Sequence, residues 1–175
     1  TMLGFGGAGQ VLIAFDRHLG REIAVKQLMA SMEECRDPDA SDKSLSLAQA
    51  RFLREARVTA QLDHPNIVPV YELGRRRDGS LYYTMKLVRG MSLDEALAQC
   101  NTLDERLEYL SHFIALCQAV AYAHSRGVIH RDIKPGNVMV GAFGETVLLD
   151  WGVAKVRGEE ELARDIFENP EKYPK

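Results

Sequence analysis

The sequence is short of several things, and each shortage removes a class of protein. Its three cysteines, Cys35, Cys100 and Cys117, lie far apart and form no CxxC pair. That speaks against a disulfide framework or a metal-ligand set, and points to reduced thiols that pack, as in a cytoplasmic protein. No long hydrophobic run is present. The longest, Phe113 to Ala123, contains Gln118 and is too short to cross a bilayer. No cationic start leads into an apolar core, so no signal peptide is read. Charge of either sign is scarcely in excess: the net of −3 gives no reason to expect a nucleic-acid or membrane partner. There is no internal repeat. What remains is an ordinary soluble composition, 46% hydrophobic and 27% charged, in 175 residues, enough for one domain or two small lobes. The chain begins at Thr1, so a trimmed N-terminus is expected.

Along the chain, a Gly-rich start gives way to two apolar runs, Val11 to Phe15 and Glu22 to Lys26, with a hairpin turn at Leu19-Gly20-Arg21. Residues 31–44 are polar, contain Pro38, and read as an exposed loop. Leu45 to Leu62 reads as a helix with Leu45, Ala48, Phe52, Ala56 and Thr59 on one face. Glu55 lies on that face, where a buried carboxylate needs a cationic partner; the plainer alternative is a solvated glutamate at its edge. Strands are expected over Ile67–Leu73 and Leu81–Val88, with Arg75-Arg76-Arg77-Asp78-Gly79 as a solvated turn between them. Ser92 with Glu95, and Thr102 with Glu105, spell capping boxes. The second should open a long helix to Arg126, with Leu107, Leu110, Ile114, Cys117 and Ala121 as its apolar stripe and Gly127 as its stop. A hairpin is expected from Val138-Met139-Val140 and Val147-Leu148-Leu149. The order, strands with one helix and then mostly helices, predicts a sheet-rich lobe over about 1–87 followed by a helical one.

Four places carry chemistry. The run Gly4-Phe5-Gly6-Gly7-Ala8-Gly9-Gln10-Val11 leaves backbone N–H groups uncovered and can fold over phosphate oxygens. Strand-like residues follow it, which disfavours a dinucleotide fold, where a helix would open there. Lys26 ends Ile23-Ala24-Val25-Lys26. Alone it would be a solvated lysine, but with the glycines before it and Glu55 after it, it can neutralise phosphates while Glu55 holds it. In His130-Arg131-Asp132-Ile133-Lys134-Pro135-Gly136-Asn137, Asp132 can take a hydroxyl proton, Lys134 can offset phosphoryl charge, and Asn137 offers an amide oxygen to a divalent metal. This stretch is the most specific signal in the chain. In Asp150-Trp151-Gly152, Asp150 presents a carboxylate for Mg²⁺ and Gly152 lets the chain turn away.

In order and spacing, these motifs resemble the eukaryotic-type serine/threonine protein kinases, of a bacterial, planctomycete-like style, over Leu3 to about Lys155. His64-Pro65-Asn66-Ile67-Val68 adds to the likeness. The resemblance implies an α+β two-lobe fold: an antiparallel-sheet lobe over 1–87 and an incomplete helical lobe over 88–156. It implies ATP and Mg²⁺ as cofactors and a protein Ser/Thr hydroxyl as acceptor. Lys26 and Glu55 would form the active-state ion pair, Asp132 would be the catalytic base, and Asn137 and Asp150 would hold Mg²⁺. Leu3 and the glycine-rich loop would cover the nucleotide. Val11, Ala24 and Met139 would sandwich the adenine, and Met85, Lys86, Leu87 and Val88 would form the hinge behind it. Lys134-Pro135 resembles the serine/threonine branch.

Two departures stand out. Trp151 occupies a position where phenylalanine is usual, and its N–H needs a partner. Residues 157–175 lack a threonine-bearing loop and an Ala-Pro-Glu, and read as an insert in the activation segment, with a short polar helix over Glu159–Phe167. On that reading the domain is cut short, the 102–126 helix exposes an apolar face, and Arg131 lacks the phosphorylated partner it has in the family. Two other functions compete with protein phosphorylation: a truncated, regulatory ATP-binding module, and a small-molecule phosphotransferase of the aminoglycoside or choline kinase type. The intact set Lys26, Asp132, Asn137 and Asp150 argues against the first, while the truncation argues for it. Arg131, Lys134 and the glycine-rich loop argue against the second.

Overall fold

A computed structural model of the chain describes residues 2–6, 9–29 and 47–158, with side chains from residue 9 onward. Gly7, Ala8, Cys35, the expected loop at 31–44, the first residues of the Leu45 helix and the expected helix at 159–167 lie outside the described residues.

The first part is a five-stranded antiparallel sheet. Its strands are β1 (Met2–Gly6), β2 (Gly9–Asp16), β3 (Arg21–Leu28), β4 (Val70–Arg75) and β5 (Leu81–Lys86), in the order β1-β2-β3-β5-β4. At the β2–β3 turn the Asp16 carboxylate accepts the N–H groups of His18 and Leu19, and Gly20 supplies the positive φ of 63°. Gly9 is needed for a different reason. A Cβ there would fall 2.2 Å from the Gln27 carbonyl oxygen, so β2 lies as close to β3 as it does only because the residue is glycine. Helix α1 (Leu47–Ala60) packs on the sheet through Phe52 and Ala56, which join Leu28, Leu81 and Tyr83 in one core cluster. Glu55 is buried on the same helix; Ala48, expected on the core face, is exposed.

Strand β4 starts three residues later than the sequence pattern predicts. Ile67 instead bridges to Leu148, and Asn66 accepts the Leu148 N–H and donates its side-chain amide to the Thr146 carbonyl. These bonds take 66–68 away from the sheet and fasten the segment after α1 to the rest of the molecule. Strand β5 ends at Lys86, leaving Leu87 and Val88 in the link that follows.

The second part contains β6 (Gly90–Ser92), α2 (Leu93–Gln99), α3 (Leu103–Leu107), α4 (Leu110–Ser125), β7 (Val128–Ile129), β8 (Val138–Gly141), β9 (Thr146–Leu148) and β10 (Lys155–Val156). Both expected capping boxes form, Ser92 with Glu95 and Thr102 with Glu105. The expected 138–149 hairpin is β8 with β9, extended to three strands by β6, and β7 pairs with β10.

The single long helix expected over 102–126 is two. Tyr109 bonds back to Arg106 rather than to Glu105, its ψ is 2°, and the helix restarts at Leu110. The Tyr109 side chain packs on the core beside His112. The expected apolar stripe is present and faces water, as the expectation of an exposed apolar face on this helix has it: Leu107, Leu110, Ile114, Cys117 and Ala121 are all exposed. Leu116, Ala119 and Ala123 face the core, with Val120 partly buried beside them. Both stripes have helical spacing, and the alanines let α4 approach the second core cluster closely, around Ile67, Val138, Leu148 and Trp151.

Candidate active site

A cavity of about 360 Å³ opens between the sheet and the β8–β9 hairpin. Its apolar walls come from Val11 and Ala24 on β2 and β3 and from Met139 on β8. Strand alternation explains Ala24: it and Lys26 are both buried on one face of β3, two residues apart. Met85, Lys86, Leu87 and Val88 line another side, where β5 runs out into the link. Backbone pairing of Gly4 with Val11 and of Gly6 with Gly9 makes the glycine-rich stretch, with Leu3 and Phe5, the β1–β2 hairpin. Gln10 lies in β2, half-buried.

The polar end of the cavity is built from three elements. Lys26 Nζ, on β3, donates to Glu55 Oε1, on α1, at 2.5 Å, with side chains only 6% and 3% exposed. Asp150 Oδ1 lies 3.6 Å from the same ammonium. Glu55 is therefore paired, and the solvated-edge alternative does not hold. Gly152 explains how the two carboxylates fit together: a Cβ there would sit 3.2 Å from both Asp150 Oδ1 and Glu55 Oε2.

The loop between β7 and β8 forms the floor. Asp132 Oδ2 accepts from Lys134 Nζ at 2.8 Å, and Asn137 Nδ2 donates to the Asp132 carbonyl at 2.8 Å and to its carboxylate at 3.0 Å. The Lys134 hydrogen bond, and after it that of Asn137, holds the Asp132 carboxyl below the usual aspartate range; the reciprocal bond from Asp132 raises Lys134. Asp132 is thus a charged acceptor near neutrality. Because Asn137 turns its nitrogen to Asp132, its amide oxygen is on the opposite side, and Asn137 and Asp150 both line the cavity. Asp132 and Lys134 stand just outside the lining, joined to it through Asn137.

His130, 1% exposed, fastens this loop to the strand that delivers Asp150. Its Nδ1 accepts the Asp132 N–H at 3.2 Å, so the proton is on Nε2, which donates to the Leu149 carbonyl at 3.0 Å. Burial lowers its pKa and favours this neutral form. Arg131 and Asp150 have positive φ, 73° and 56°, unusual for residues with side chains and found here on both segments that carry polar groups. Trp151 packs edge-on against His130, centroids 4.6 Å apart, and is 1% exposed; its indole N–H has no acceptor among the described residues.

Sequence reasoning missed several lining residues: Thr59, Val68, Tyr83, Gly136, Leu149 and Trp151. Tyr83 alone had an available signal, since Leu81, Tyr83 and Met85 alternate along β5 toward one face. Thr59, a turn beyond Glu55, returns its hydroxyl to the Glu55 carbonyl at 2.8 Å.

The family model described as "Protein kinase domain" matches residues 1–171. Among similar proteins, the serine/threonine-protein kinase PknD of Protochlamydia amoebophila is 39% identical over 181 residues, which cover 95% of this chain and 17% of that protein. The PknD proteins of Chlamydia pneumoniae and Chlamydia muridarum are 39% and 40% identical, each over 94% of this chain and 18% of theirs. The chain therefore spans under a fifth of the length of these relatives. With an antiparallel sheet carrying the paired lysine, helical segments below it and the family model matched almost end to end, the chain belongs to the protein kinase domain family.

Proposed function

We propose that this domain transfers the γ-phosphoryl group of ATP to serine or threonine hydroxyls of a protein substrate, as part of a longer cytoplasmic protein. The supporting observation is the meeting of Lys26, Glu55 and Asp150 with the Asp132–Lys134–Asn137 loop at one end of a single cavity. On this reading residues 1–87 and 88–156 are the two lobes of the fold. The apolar walls Val11, Ala24 and Met139 hold the adenine against the Met85–Val88 link. The glycine-rich sequence Leu3, Gly4, Phe5, Gly6, Gly7, Ala8, Gly9 and Gln10 covers the phosphates, and Lys26, held by Glu55, binds them. Asp132 takes the proton as the acceptor oxygen attacks the γ-phosphorus and the bond to the ADP oxygen breaks, while Lys134 offsets the charge on the transferring group.

The donor set fits Mg²⁺. The Asp150 carboxylate and the outward amide oxygen of Asn137 are hard oxygen ligands of the kind the ion prefers, and they account for two positions, with water and phosphate left to supply the rest. Bound there, the ion would neutralise phosphate charge. Among the described residues no helix is long and apolar enough to cross a membrane.

The test is Asp132→Asn in the full-length protein. Radiolabel transfer to a generic basic protein should fall by about 10²–10⁴-fold, while the thermal shift produced by MgATP persists. Unchanged transfer removes Asp132 from its role. Phosphorylation of an aminoglycoside but no protein reassigns the substrate class.

A further inference from the structure

Glu55 is held by more than Lys26. On the sheet, Tyr83 of β5 lies directly opposite Lys26 of β3, so the two side chains share a face and reach the same carboxylate. Tyr83 Oη donates to Glu55 Oε1 at 2.7 Å, on the very oxygen that Lys26 Nζ meets at 2.5 Å. All three residues are buried, with exposures of 4%, 3% and 5% for Tyr83, Glu55 and Lys26. The phenol ring is fixed from the helix side as well. Phe52, one turn before Glu55 on α1, packs on it with centroids 5.3 Å apart and planes tilted by 44°. Burial first, and the Glu55 charge second, hold the phenol far above the usual tyrosine range, so it stays a donor at any working pH.

We propose that Tyr83 is a positioning residue: its hydroxyl ties α1 to β5 and sets the Glu55 carboxylate so that Lys26 is presented to the cavity. The tie does not pass through Lys26. A hydroxyl donating to a buried carboxylate is a charge-assisted bond, stronger than one between neutral groups. With it in place, Glu55 keeps one rotamer even when the ammonium moves toward a phosphate. Without it, among the described residues, the carboxylate has Lys26 alone to orient it, and that ion pair is the remaining polar tie between Glu55 and the sheet. The consequence for catalysis rests on the reading of Lys26 as a phosphate ligand; the tie itself does not.

Tyr83→Phe, made in the full-length protein, keeps the ring against Phe52 and removes only the donor. Tyr83→Leu removes both. Without nucleotide, labelling of Lys26 by an amine-reactive sulfonyl fluoride, followed by mass spectrometry well below the unfolding temperature, should be about tenfold faster in Tyr83→Phe than in wild type. Hydrogen exchange of residues 47–60 should rise with it, and kcat/KM for ATP should fall by a similar factor. Labelling and exchange that match wild type in Tyr83→Phe, and change only in Tyr83→Leu, would show that the ring suffices and overturn the proposal. Faster labelling in Tyr83→Phe from a protein that neither binds nor turns over ATP would support the tie and defeat the kinase reading instead.

Discussion

Asn137 gives its amide nitrogen to Asp132 twice, at 2.8 Å to the main-chain carbonyl and at 3.0 Å to the carboxylate. Only the amide can do this while offering an oxygen to the other side. Asn137→Ala leaves the Asp132 carbonyl without that donor and is expected to cost about 1–3 kcal/mol of stability by urea unfolding. A loss within about 0.5 kcal/mol, the range of an ordinary surface change, would mean that the loop is held by other contacts.

Lys26 and Glu55 form a pair whose removal by halves should differ from its removal whole. Lys26→Met leaves a buried carboxylate with the Tyr83 hydroxyl as its remaining short contact, and should destabilise the protein by about 3–5 kcal/mol. The double change Lys26→Met with Glu55→Leu should recover most of that loss, since an apolar pair replaces the ions at little cost. Additive losses in the denaturation midpoints would contradict a pairwise origin. MgATP binding should be lost in both.

His130 makes a pH prediction with a definite sign. Its folded pKa is lowered, so the unfolded chain binds the proton more readily over the interval between the two values. Stability is therefore full above the ordinary histidine range and falls as the pH drops through it toward the folded value. Urea midpoints taken stepwise from pH 7.5 downward should decline in wild type. The slope should be shallower in His130→Phe, which keeps an aromatic ring against Trp151 and has no proton to gain. Equal slopes would place the titration elsewhere.

Much of the site is legible in the sequence because its chemistry depends on residue type and order. A lysine closing an apolar strand, a glutamate on the buried face of a helix, the Asp132-to-Asn137 stretch and Asp150 after a hydrophobic run are each recognisable from neighbours close in the chain. Tyr83 is not. An aromatic alternating along a strand reads as packing, and its hydroxyl's partner lies 28 residues away on another element. The fold follows the same division. Turns and capping boxes form where local chemistry places them, whereas the start of β4 is moved by a bridge from Ile67 to Leu148, a distant residue that local pattern does not register. The buried side of α4 is a choice between two equally spaced stripes, and the deciding term is how closely alanine lets the helix approach its neighbours.

The outward stripe has its own consequence. Leu107, Leu110, Phe113 and Ile114 each keep more than half of their surface in water, on one flank of consecutive helices. At about 25 cal/mol for each Å² of hydrocarbon withdrawn from solvent, that flank is adhesive, and whatever settles on it gains free energy without needing any particular shape or charge. Handled at high concentration the domain should light up an apolar dye and gain mass in light scattering, and polar residues at Phe113 and Ile114 should suppress both while leaving nucleotide binding alone.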